Sequence, residues 1–126
     1  NKLLLVREVI TQTYSFPGGW ADLYDSPSDT AKNESLQEAG AHIEIIRLVG
    51  ITNRTPFKSD ASIPEYVITF LANVVGELED HEYETDDVRW CDIDNLPEKT
   101  SYKFNAGIFS SGNSTIFNLQ YFNYHL

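Results

Sequence analysis

Short apolar runs alternate along this chain with polar, turn-rich segments, and the runs predict strands more often than helices. Leu3, Leu4, Leu5 and Val6 make a run too short for a helix of its own and long enough for a buried strand, and Arg7-Glu8 returns the chain to solvent. Thr11 to Phe16 is β-branched and aromatic, which predicts a second strand at Tyr14-Ser15-Phe16. Pro17 stops its pairing, and Gly18-Gly19 predicts a turn using backbone angles closed to other residues. His42 to Ile51 and Tyr66 to Val75 read as strands, the second the strongest in the chain. Between them, Thr52 to Pro64 loses its apolar pattern and carries Pro56 and Pro64, the marks of a loop. A connection this long in a small domain often serves as a binding loop or lid, with Arg54, Phe57 and Lys58 placed to meet a substrate, although solvated loop residues are the commoner outcome. The pattern then passes through an acidic stretch, Glu79 to Asp87, into Val88–Asp92 and Leu96-Pro97. The aromatic tail predicts a terminal helix over Ile116 to Tyr124, with Phe117, Leu119, Tyr121 and Phe122 on a core or dimer face. No internal repeat is present.

The helix signals are strongest between Ser26 and Gly40. Ser26 is a favoured N-cap, Pro27 suits the first turn, and Asp29 stands where a capping-box carboxylate belongs. Gly40 is placed to end the helix in the left-handed region. Inside lie Glu34, Gln37 and Glu38, whose spacings of three and four bring two carboxylates and an amide to one helix face. Like charges one turn apart repel, so the pattern points to a cation between them. Hard oxygen ligands of this kind suit Mg²⁺ or Mn²⁺, and no Cys/His cluster is present to favour zinc.

Composition narrows the picture. A chain of 126 residues that is 41% hydrophobic has room for one domain with one modest core. Its net charge of −10 and pI near 4.5 leave no basic surface for tracking a nucleic-acid backbone. They do not exclude a phosphate substrate, because bound divalent ions invert the local charge. A lone Cys91 can form no internal disulfide, and no stretch reads as a signal peptide or membrane span, so the expectation is a cytoplasmic protein without a membrane partner.

Gly19, Glu34, Glu38 and Gly40 fall at the intervals of a known signature, and the stretch Gly18–Ala41 resembles the Nudix box. The flanking FPGGW and DSPSD are similar to the family as well. Four positions depart from it: Asp25 for Glu, Asn33 for Arg, Ser35 for an aliphatic residue and Gln37 for Glu. The resemblance implies an α/β (α+β) fold, an α/β/α sandwich with a mixed central sheet, spanning residues 1–126 as a single domain. Relatives carry a strand before the first one here, and some a helical domain before that, so the resemblance implies that both are absent from this chain, which has no Met. It implies metal-dependent hydrolysis of a nucleoside diphosphate linked to another moiety, of the ADP-ribose or CDP-choline kind. Glu34, Glu38 and the Gly19 backbone would hold Mg²⁺ or Mn²⁺, with Glu34, Gln37 and Glu84 as the catalytic set and Glu84 a candidate general base in its loop. Trp20 or the loop aromatics would stack on a base, unless Trp20 belongs to the core. In the family the box Arg pairs with acidic neighbours, so a hydrogen bond from Asn33 to Asp25 is the expected substitute. Dimerisation is common among relatives and a homodimer is expected. The eroded box also leaves open a nucleotide-binding sensor or regulatory module.

Overall fold

The computed structural model describes residues 2–53, 65–92, 94–100 and 115–122, with the backbone alone for 53, 65 and 115–122. Seven strands and one helix lie among them: β1 (Lys2–Glu8), β2 (Tyr14–Ser15), β3 (Gly18–Trp20), α1 (Pro27–Ala39), β4 (His42–Asn53), β5 (Glu65–Val75), β6 (Thr85–Asp92) and β7 (Thr115–Phe122). They form an antiparallel three-stranded sheet in the order β2-β1-β6 and a mixed four-stranded sheet in the order β3-β7-β5-β4. In the second sheet only β3 and β7 run parallel; β7–β5 and β5–β4 are antiparallel. The fold is therefore mixed α+β, of the α/β/α kind that the resemblance implies.

β1 shows why its four apolar residues are consecutive. Side chains of a strand alternate between its faces, so a strand covered on both sides needs an unbroken apolar run. Leu4 and Val6 enter one core with Ala31 and Ala39 of α1, Ala41, Ile43, Phe70 and Ala72. Leu3 and Leu5 enter a second core with Tyr14, Phe16, Leu71 and Cys91. β5 divides in the same way, with Phe70 and Ala72 in the first core and Leu71 in the second. The first core is the one that seats α1.

Three expectations are corrected. The tail is a strand, β7, over Thr115–Phe122, where a terminal helix was expected from Ile116 to Tyr124. Its backbone pairs along the length of β5, from Ala72↔Thr115 to Glu65↔Phe122, and that ladder outweighs any local preference. Gly18-Gly19 is extended strand, not a turn, and among the described glycines only Gly40 and Gly76 adopt positive φ. β4 runs two residues beyond Ile51, so the connection to β5 is shorter than the pattern implied. Arg54, Phe57 and Lys58 lie outside the described residues.

Candidate functional site

α1 places the site, and its ends are fixed locally. The Ser26 hydroxyl accepts from the Asp29 N–H at 3.1 Å, and Pro27 occupies the first turn. At the other end Gly40 has φ 63°, its N–H donates to Leu36 O, and the Ala41 N–H donates to Ser35 O. Ser35 fills a fully buried position and hands its hydroxyl proton to backbone carbonyls, Ala31 O at 2.8 Å and Lys32 O at 3.0 Å. A buried hydroxyl without such a partner would be costly, so the serine is tolerated where an aliphatic residue was expected.

Between those ends, Glu34 and Glu38 project toward β3. Glu38 is 8% exposed, and its Oε1 accepts from the Gly18 N–H at 2.9 Å. Glu34 is half-buried, and its carboxylate lies over Gly19: a Cβ at that position would stand 2.6–2.8 Å from Glu34 Cδ, Oε1 and Oε2. Gly19 is thus glycine to leave room for a carboxylate. Gly18 enters the site through a backbone N–H, a role no side-chain signature announces.

Burial pushes the Glu38 carboxyl up to about 8; the Gly18 N–H opposes this, and the charges of Glu34, Glu8 and Glu84 add to it. Glu34 is raised too, by burial first and then by the charges of Glu84, Asp22 and Glu82, against a hydrogen bond with the Glu38 side chain. A protonated Glu38 can accept from Gly18 at one oxygen and donate from the other to Glu34. Both carboxyls are raised, and a cation bound between them would relieve both.

Of the remaining sequence candidates, Glu84 acts electrostatically on this pair. Glu84 is exposed, yet its charge is the largest acting on Glu34, and its carbonyl accepts from the Val9 N–H at 3.0 Å. Gln37 is exposed, and its carbonyl accepts from the Glu82 N–H at 2.7 Å. Asn33 Nδ2 does donate to Asp25 Oδ2, but at 3.4 Å and in solvent, a weak replacement for an ion pair. Trp20 is exposed, outside both cores. Thr85, next to Glu84, is buried, and its hydroxyl donates to Glu38 O at 2.6 Å.

The donor set tests the fit to a metal. Among the described residues no three Asp, Glu, His or Cys side chains converge into a ligand cage. Two carboxylates do meet, at a strand held open by Gly19. Few protein ligands, all oxygen, fit an ion such as Mg²⁺ that keeps waters and shares its shell with substrate phosphates. Glu34 and Glu38 would hold it, beside the Gly19 backbone. No described helix is long and apolar enough to cross a membrane.

The comparison with protein families agrees with this geometry. The model of the NUDIX domain matches residues 1–111, all of the site included.

Proposed function

The chain belongs to the Nudix family, and from that premise we propose that it is a divalent-metal-dependent pyrophosphohydrolase for a nucleoside diphosphate linked to another moiety, of the ADP-ribose or CDP-choline kind. Family membership supports pyrophosphohydrolase chemistry, a small nucleotide substrate and a divalent metal in general terms. The observation that carries the reading for this chain is the Glu34–Glu38 pair seated against Gly18-Gly19. A bound divalent ion supplies charge neutralisation for the diphosphate and acidifies an attacking water.

The residues divide the remaining work. Glu34 and Glu38 are the metal ligands. Glu84 or Glu34 takes the proton from water; Glu84 is the exposed member with access to it. Gln37 keeps an acceptor oxygen and lacks the charge, a loss of about 1.5–3 kcal/mol for a charge-assisted contact, so turnover is slowed. We further read the protein as cytoplasmic, free of nucleic-acid and membrane partners and able to form a homodimer, on the acidic composition and the family's habit.

The test is phosphate-product release from ADP-ribose, CDP-choline, diadenosine polyphosphates and nucleoside triphosphates, with Mg²⁺ or Mn²⁺. Metal-dependent turnover of one class, abolished by Glu38→Gln, is the expected result. The uncharged Gln37 and the long Asn33–Asp25 contact favour a second reading, a nucleotide-binding sensor or regulatory domain. Absence of turnover across the panel, restored by Gln37→Glu, would select it.

A further inference from the structure

The loop from Glu79 to Glu84 is fastened to the C-terminal end of α1. The Glu79 N–H donates to Gly40 O at 2.8 Å and the Glu82 N–H to Gln37 O at 2.7 Å. Thr85 adds a side-chain clamp, its hydroxyl donating to Glu38 O at 2.6 Å. On its far side, Glu84 O accepts from the Val9 N–H of the segment after β1. A helix leaves its last carbonyls without intrahelical partners, and this loop takes two of them while carrying Glu84, whose charge acts on Glu34.

Proton counting at Thr85 fixes a second group. A hydroxyl has one proton, and Thr85 has given it to a carbonyl, which can only accept. Toward His81 Nδ1, 3.0 Å away, Thr85 Oγ1 must therefore accept. The other neighbour of Nδ1, Glu82 O at 2.9 Å, is also an acceptor. Nδ1 consequently carries the proton of the neutral imidazole, which gives a relay from His81 Nδ1–H to Thr85 O–H to Glu38 C=O.

We propose that Thr85, backed by an Nδ1-protonated His81, is a positioning residue that holds the Glu84 backbone in register with Glu34 and Glu38; its catalytic consequence rests on the reading of Glu84 as the base. Long-range ¹H–¹⁵N correlation spectra of the imidazoles, with His81→Asn to assign the signal, test the relay itself. An Nδ1–H tautomer is expected, and an Nε2–H tautomer would overturn the proposal. Amide exchange of Val9 and Glu82 tests the positioning without any activity. Thr85→Val should accelerate both by about tenfold or more, and Thr85→Ser should restore them; unchanged exchange in Thr85→Val also overturns it. In the turnover assay Thr85→Val should lower kcat by about tenfold to a hundredfold at nearly constant KM, with rescue by Thr85→Ser. Wild-type turnover with kcat indifferent to Thr85→Val, or a loss that falls on KM, refutes positioning. A wild type without turnover refutes the hydrolase alone, because tautomer and exchange still decide the positioning.

Discussion

Gly19 carries the most specific demand in the site. Its backbone is extended, so alanine meets no strain there, and the three atoms nearest to where the methyl would go all belong to the Glu34 carboxylate. That carboxylate is the far end of a flexible side chain and can swing aside. Gly19→Ala is therefore expected to leave the melting temperature within about 2 °C while lowering kcat by about tenfold or more, because on the proposed reading of Glu34 as a metal ligand its displacement would misplace the ion. Equal losses of stability and activity would show that the strand itself had been disturbed. Glu38 makes a second demand. Its folded carboxyl holds its proton up to about 8, whereas an unfolded glutamate releases it near the ordinary value of 4.5. The native state thus binds the extra proton between those limits, so in chelator stability is greatest below the unfolded value and falls as pH rises through the folded one. Asp86 and Asp87 are lowered, by Arg7 and Tyr14 respectively, and act only below the ordinary aspartate range, outside this window. Melting with EDTA between pH 5 and pH 8 should show a decline of at least about 4 °C, reduced in Glu38→Gln. At this scale the sequence spacing revealed Glu34 and Glu38 as partners. It could not reveal why Gly19 is glycine, because the colliding atom belongs to a residue one helix away, nor that Gly18 donates from its backbone.

At the scale of elements, α1 was legible because both of its ends are specified by neighbours in sequence. Ser26 caps by bonding three residues ahead, and Ser26→Ala should cost about 1 kcal/mol in urea denaturation. Gly40 does more than its sequence position announces. Its φ of 63° already disfavours other residues, and a Cβ there would lie 1.9 Å from Glu79 O. That atom is backbone and is held by the loop that reaches Gly40 O. Gly40→Ala should therefore cost more than the roughly 1–2 kcal/mol of the left-handed conformation alone. A cost within that range would mean that the loop gives way freely. β7 was not legible as a strand because its partners are remote: β5 lies some 50 residues earlier, and β3 earlier still. The alternation of Phe117, Leu119 and Tyr121 is the period-two signal, obscured by Ile116 and Phe122 falling at helical spacings.

At the scale of the molecule, two cores among the described residues meet at β1 and β5, with α1 seated on one of them. The consecutive apolar residues of β1 made a buried strand readable, but periodicity says nothing about how many layers cover it. That division has an energetic consequence. Substitutions in separate cores share no packing partner and should add, whereas substitutions in one core should couple through the cavity they share. Leu3 and Leu71 belong to the core with Tyr14 and Phe16, and Ile43 to the core with α1. Leu3→Val, Leu71→Val and Ile43→Val each remove one methylene and should each cost about 0.5–1.5 kcal/mol, mild enough to keep the domain folded. The Leu3/Ile43 double variant is expected to equal the sum of its singles within about 0.5 kcal/mol, and the Leu3/Leu71 double variant to depart from its sum by more. Equal coupling in both cycles would show that the sheets transmit strain from one core to the other. The seat of α1, and with it the Glu34–Glu38 pair, would then respond to packing on the far side of the molecule.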